Sequence, residues 1–233
     1  MQIRVVLVGP EYQQNIGYCC RVMKNFGFTE LFIVSPDCKI GQEAVMYSKH
    51  AADLLSSAKI VKSLEEATKG CSIIVGTTAI QNISRDITRD YILPEELAHQ
   101  FKGRKAKIAL LMGREGTGLN REELQKCDIV VRIEGNPDYA TLNISHALAV
   151  VLYELSKDKF RSSSKPKSLE EFMGENEKKL LLKYFNSLVD TCNRGIKSPG
   201  TIKLSFKRIL ARGVKSKVEA LALLTLLKNI KNR

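Results

Sequence analysis

Three short runs of this 233-residue chain combine polar side chains with glycine in patterns that can do chemistry. The first is PEYQQNIGYCCRVMKNFG, from Pro10 to Gly27, which sets Asn15, Gly17 and Arg21 close together. Asn15 can cap the helix that follows, Gly17 permits close approach, and Arg21 lies four residues on, on the same helical face. The second is LLMGREGTGLNREEL, residues 110–124, where glycines make a backbone corner, Arg114 supplies positive charge and Glu115 accepts hydrogen bonds. The third is NPDYATLNISHALAVVLYEL, residues 136–155, in which Thr141 and Asn143 meet at a helix start. A packing or capping role alone accounts for Asn15, Gly17, Thr141 and Asn143 equally well, and Arg21 can simply be exposed. What these runs offer is hydrogen bonding and fixed charge. No set of nucleophile, base and orienter stands out, and neither G-x-G-x-x-G after the first strand nor G-x-x-x-x-G-K-[ST] occurs, which weakens oxidoreductase and ATPase readings.

Such residues need rigid elements to hold them. Ile3 to Val8 and Leu31 to Val34 are rich in Val, Ile and Leu without alternation, as expected of strands buried on both faces. Between them Asn15 to Phe26 reads as a helix closed by Gly27. Further along, the pattern predicts a helix over Gln42 to Ser56 and an edge strand over Lys59 to Val61. A short capped helix from Ser63 through Ala67 follows, with Glu66 placed for a capping box, then a strand over Ser72 to Gly76. Thr77 to Asp90 is polar and unassigned. Pro94 opens a helix toward His99; Lys107 to Met112 and Ile129 to Ile133 are apolar strands around a helix near Asn120 to Lys126; Asn143 to Leu155 is a long final helix. The result is an α/β open parallel sheet over residues 1–160. Ligands of such sheets sit at the carboxyl ends of strands, here Gly9-Pro10, Gly76-Thr77, Gly113 and Glu134-Gly135.

Arg161 to Ser168 is polar and carries a proline, so residues 161–170 read as a linker. Beyond it, Leu169 to Arg194, Thr201 to Arg212 and Lys215 to Ile230 predict a small all-helical domain over 171–233. Its core draws on Leu180, Leu181, Tyr184, Leu188, Val218, Leu221, Leu224 and Leu227 or Ile230. At that size it is expected to lean on the larger domain or on a dimer partner.

The net charge of +12 is unevenly placed. Residues 1–160 carry 20 Lys and Arg against 19 Asp and Glu, while 161–233 carry 17 against 6. Positive charge concentrated in the tail attracts phosphates at long range and points to a nucleic acid; an anionic membrane is disfavoured for want of aromatic anchors. Six cysteines and three histidines lack metal-ligand spacing, so no metal is expected, and the cysteines read as buried hydrophobes in reduced surroundings. No apolar run approaches the ~20 residues of a membrane span, and the first residues lack a secretory pattern, which makes a cytoplasmic location the expectation.

In order and spacing, N-I-G-x-x-x-R, G-R-E-x-x-G-L and T-L-N-x-x-x-A resemble the SPOUT superfamily of RNA methyltransferases. The resemblance is closest to its ribose 2′-O-methylating branch and to the enzymes acting at position 32 of the tRNA anticodon loop. It covers nearly all of residues 1–158 and extends more weakly into the tail. It implies a deep trefoil knot over about residues 105–155, against the usual avoidance of knots. It also implies S-adenosylmethionine as cofactor, walled by Thr77, Thr78 and Ala79, approached by Gly113 and Ile133, and closed by Thr141 with Leu142. By the same resemblance Arg21 contacts RNA phosphate and helps activate the ribose hydroxyl, Asn15 and Asn143 orient the partners, and Glu115 organises the pocket. Many relatives carry serine at Thr141, where the resemblance gives the retained hydroxyl a catalytic part, and alanines at Cys19 and Cys20, where helix packing accounts for the residues. A homodimer with shared active sites, and a basic tail that grips tRNA, complete the implied picture. Ribosomal RNA as substrate, or a noncatalytic RNA-binding protein that keeps the knot, are the alternatives.

Overall fold

Val5 to Val8 and Ile108 to Met112 are sealed from solvent on both faces, so they can only be central strands covered on each side. In the computed structural model, which describes residues 1–80, 90–160, 173–192, 198–214 and 216–231, they form the middle of a parallel sheet. Its strands are β1 (Gln2–Val8), β2 (Glu30–Val34), β3 (Lys59–Val61), β4 (Ile73–Thr78), β5 (Lys107–Met112) and β6 (Ile129–Arg132). The spatial order is β3-β2-β1-β5-β4-β6, all parallel. Lys59–Val61 is thus an edge strand, as its sequence predicts.

Odd and even residues of the central strands feed two cores. Val5, Leu7, Ile108 and Leu110 pack with α1 (Gln13–Asn25), α2 (Gln42–Ser48), α3 (Ala52–Ser56), α5 (Pro94–Phe101) and α7 (Ile144–Phe160). Val6, Val8, Ala109 and Leu111 face α4 (Leu64–Thr68) and α6 (Arg121–Lys126) on the other side. This period-two split is the direct product of strand geometry. Ser63 caps α4 through a bond from the Glu66 amide at 3.2 Å, as expected.

Two local expectations need correction. The helix predicted over Gln42 to Ser56 is broken after Ser48, because Lys49 adopts φ +50°, which a right-handed helix does not accommodate. Asn15 does not cap α1: Tyr12 occupies that position, and Asn15 is buried inside the first turn. Gly17 does permit close approach. A Cβ there would lie 2.6 Å from the Ala44 carbonyl oxygen and 2.8 Å from the Ser48 nitrogen, so α1 and α2 meet backbone to backbone.

The tail forms α8 (Glu175–Thr191), α9 (Pro199–Gly213) and α10 (Lys217–Lys231), while the segment read as a linker lies outside the described residues. Leu181 and Leu224 are buried as predicted, but Val218 and Leu221 are exposed. The inward face of α10 runs through Ala220, Leu224 and Leu227, which turns Val218 and Leu221 to the opposite side. Phe185 of α8 stacks on Phe206 of α9 at 3.7 Å between ring centroids. The tail leans on its own sheet domain. Lys178 of α8 is buried, donating to the Ser72 carbonyl at 3.1 Å and pairing with Asp128, a fully buried carboxylate that also accepts from the Ile74 amide at 2.8 Å. Lys207 of α9 donates to the Lys126 carbonyl at 2.7 Å, and burial pulls its ammonium below the usual lysine range despite Asp128.

Removing one partner of a buried pair leaves the other charged and unsolvated. Asp128→Ala is therefore expected to lower the free energy of unfolding by about 3 kcal/mol in urea titration. A loss below about 1 kcal/mol would mean that Lys178 finds water in this position.

Candidate active site

The carboxyl ends of β5, β4 and β6 lie side by side at one edge of the sheet. Together with the start of α7 these ends enclose one cavity. Thr77, Thr78 and Ala79 come from the end of β4, Gly113 follows β5, Ile133 follows β6, and Thr141 with Leu142 precedes α7; all seven line the cavity. Met112, Leu119, Val131, Ile144 and Ala147 add apolar wall. Leu119 and Ala147 close two of the sequence motifs, whereas Met112, Val131 and Ile144 carry no signal of their own, since their types are those of any core.

The backbone sets the shape of this cleft. A Cβ at Gly113 would fall 2.2 Å from the Gly118 carbonyl carbon and 2.3 Å from the Leu119 nitrogen, so only glycine lets the loop fold back on itself there. Thr77 donates its hydroxyl to the Leu111 carbonyl at 3.0 Å, while the Thr78 hydroxyl accepts from the Ile80 amide at 3.2 Å. Both side chains are therefore held at the rim by backbone groups.

Beside the cavity runs a chain of hydrogen bonds that joins all three sequence runs. Glu115 accepts from Asn15 Nδ2 at 2.8 Å and from the Glu11 amide at 2.9 Å. Asn15 Oδ1 in turn accepts from Asn143 Nδ2 at 3.0 Å. The remaining Asn143 oxygen accepts from the Ser145 amide at 2.9 Å and hydroxyl at 2.8 Å, and so caps α7. Asn143 thus caps α7 with its oxygen and bonds Asn15 with its nitrogen, two contacts made by different atoms of one amide. Of the polar candidates, Glu115 and Thr141 reach the cavity, whereas Asn15 and Asn143 stand behind it. Arg21 does not line the cavity of its own chain; it is exposed on α1 and makes no ion pair or hydrogen bond among the described residues.

Burial pushes the thiols of Cys20 and Cys127 up to about 12, and that of Cys19 also well above its ordinary value. Burial thus keeps these three thiols protonated near neutral pH. Among the described residues no group of three or more His, Cys, Asp or Glu is placed to hold a metal ion, and no helix is long and apolar enough to cross a membrane.

Residues 2–153 match the model of the SpoU rRNA Methylase family. The chain belongs to this family. The match spans every residue of the cavity and of the hydrogen-bond chain. The tRNA (cytidine-2'-O-)-methyltransferase TrmJ of Methanocaldococcus jannaschii is 36% identical over 98% of this chain and 99% of its own length. The protein of the same name from Sulfolobus acidocaldarius is 32% identical over 99% and 94%. A solved methylase family protein from Haemophilus influenzae Rd KW20 superposes with a TM-score of 0.63 at 30% identity, over 99% of this chain and 96% of that one. Likeness to these proteins therefore runs through the helical tail as well as the SpoU domain.

Within this SpoU domain both Glu115 oxygens are occupied as acceptors, so an amide in place of the carboxylate sets one N–H against a donor. Glu115→Gln is expected to lower stability by about 1–2 kcal/mol in thermal or chemical unfolding. Wild-type stability in this variant would show that the chain of bonds does not hold the site together.

Proposed function

We propose that the protein transfers a methyl group from S-adenosylmethionine to a ribose 2′-oxygen of tRNA, at a cytidine of the anticodon loop, position 32, with uridine as the second acceptor. The observation that carries this reading is the end-to-end similarity to the M. jannaschii tRNA methyltransferase, tail included. The cavity suits the cofactor. Apolar walls from Met112, Leu119, Val131 and Ile133 accept an adenine ring, and loops rich in glycine and threonine leave backbone groups and hydroxyls to bind its polar parts. When bound, the cofactor supplies an electrophilic sulfonium methyl, and no metal is needed.

The chain's own residues then orient and activate the acceptor. A ribose hydroxyl is a weak nucleophile at neutral pH and needs help as its proton leaves. A guanidinium is a fixed cation with planar donors, so the natural part of Arg21 is to fix the adjoining phosphate and stabilise the developing alkoxide. Thr141 and Leu142 close the cavity, while Asn15, Glu115 and Asn143 hold the loops of α1, β5 and α7 in register. Because Arg21 is exposed and stands outside its own cavity, it serves the cavity of a second copy, in a homodimer. Exposed Val150 and Tyr153 on α7 offer apolar surface for that contact. The knot over residues 105–155 belongs to the same reading. It is supported by β5 and β6 flanking β4, with the loops that follow both strands meeting at one cavity. A tRNA substrate supports a cytoplasmic location for the protein.

The tail supplies the grip. Lys183 on α8 and Lys228 and Lys231 on α10 are exposed, and the last two approach the Tyr184 ring at 6.0 and 5.5 Å. Phosphate contacts of this kind give affinity and register, and leave the choice of nucleotide to the cavity.

Labelled methyl from S-adenosylmethionine is expected to appear as 2′-O-methylcytidine in tRNA after nuclease digestion. Label confined to ribosomal RNA would move the substrate to the class in the family's description, and cofactor binding with no label in any RNA would sink the reading. Arg21→Ala is expected to lower kcat by about 100-fold or more with little change in cofactor affinity; equal loss of both would contradict its role. Replacing Lys183, Lys228 and Lys231 by Gln should weaken tRNA binding and flatten its salt dependence, and unchanged affinity would reject the grip.

A further inference from the structure

An arginine lining the cavity of an RNA-modifying enzyme invites a phosphate-binding role, and Arg114 lines this one. Its guanidinium is committed elsewhere. Nη1 and Nη2 donate to the two carboxylate oxygens of Glu123, each at 3.1 Å, in a fork-to-fork pair whose side chains are 28% and 11% exposed.

Glu123 does more than neutralise that charge. The oxygen that accepts from Arg114 Nη1 also accepts from the Asn120 amide at 2.7 Å, and Asn120 Oδ1 accepts from the Glu123 amide at 2.8 Å. One carboxylate therefore gathers the first and last residues of the loop from Arg114 to Asn120. Inside it, the Gly118 amide donates to the Arg114 carbonyl at 2.9 Å, and Gly118 adopts φ +69° to make the turn. The guanidinium reaches Glu123 across Gly9, where a Cβ would stand 2.9 Å from Arg114 Nε. The next residue, Glu115, turns the other way to Asn15 and the Glu11 amide. Successive side chains thus fasten one loop to α6 and to the start of α1.

Resting on the methyltransferase reading above, we propose that Arg114 is a positioning residue, which with Glu123 clasps the 114–120 loop so that the wall of the cofactor cavity is formed before the cofactor arrives. A loop already ordered has less entropy to lose on binding, so the clasp acts on cofactor affinity rather than on the methyl-transfer step.

The test compares wild type with Arg114→Ala, Arg114→Lys, the near-isosteric Glu123→Gln and the Arg114→Ala/Glu123→Gln double variant. Hydrogen exchange of the ligand-free protein, calorimetric titration with S-adenosylmethionine and methyl-transfer kinetics on tRNA are the readouts. Arg114→Ala and Glu123→Gln are each expected to speed amide exchange across residues 114–119 and to weaken cofactor binding about tenfold. The kcat at saturating cofactor should stay within about threefold of wild type. Arg114→Lys should recover part of the affinity, and the double variant should bind no worse than the weaker single one, since both remove the same clasp. A raised KM for tRNA with unchanged cofactor affinity in Arg114→Ala, and wild-type behaviour in Glu123→Gln, would make Arg114 an RNA contact and overturn the proposal. Unchanged loop exchange in both single variants would overturn it too, whatever the protein binds. Failure of the wild type to bind S-adenosylmethionine would instead sink the functional reading, while the exchange measurement still decides whether the clasp exists.

Discussion

The Glu115 carboxylate meets the Asn15 amide across 100 residues of chain, and the same asparagine meets Asn143 across 128. That line of bonds ties the site together, because it joins three segments that follow separate strands. A carboxylate with two acceptor oxygens can hold two donors at once, one from a side chain and one from the Glu11 backbone. The asparagines pass the constraint on, since each amide carries a donor and an acceptor and can face two partners. Held this way, the loop after β5, the first turn of α1 and the cap of α7 are fastened to one another.

The sheet explains why these loops are near enough to be joined. In an all-parallel sheet every strand ends on the same edge, so every connection that follows a strand starts there. The β5-β4-β6 order places three such ends side by side, and β1 adjoins β5 with Gly9 at its end. Glycine is required at two of these corners for different reasons. At Gly113 the folded-back loop leaves no space for a side chain, whereas Gly9 takes a positive φ and leaves a path for Arg114.

The tail shows positive charge put to two uses. Lys178 and Lys207 are spent inside, where they bind Asp128 and the carbonyls at the amino-terminal edge of β4 and the end of α6. Lys183, Lys228 and Lys231 remain outside. A count of charges over residues 161–233 cannot separate these groups, because it has no knowledge of which helix face turns inward. The docking ions lie at the end of the sheet away from the cavity, so the tail is anchored without obstructing it.

Periodicity and composition fixed the elements that depend on local physics. The apolar strands β1, β2, β5 and β6, the edge position of β3, the Ser63 cap and the glycine-bearing strand ends are all properties of short stretches, and each was legible from residue types alone. The motifs over residues 15–21, 113–119 and 141–147 come together around the candidate site, and the family resemblance they carried was borne out by the match over residues 2–153. What remained hidden depends on partners distant in sequence. Asn15 reads as a helix cap, yet lies inside α1 because Glu115 and Asn143 supply the bonds that favour burial there. Lys49 breaks a helix that its neighbours predict, and Val218 and Leu221 face out because α10 turns a different side to α8. Arg114 advertises a free cation, and only the fold sets Glu123 against it. Hydrophobic period is written in each segment; the pairing of polar groups is not, because a hydrogen bond joins two atoms whose separation exists only once the chain has folded.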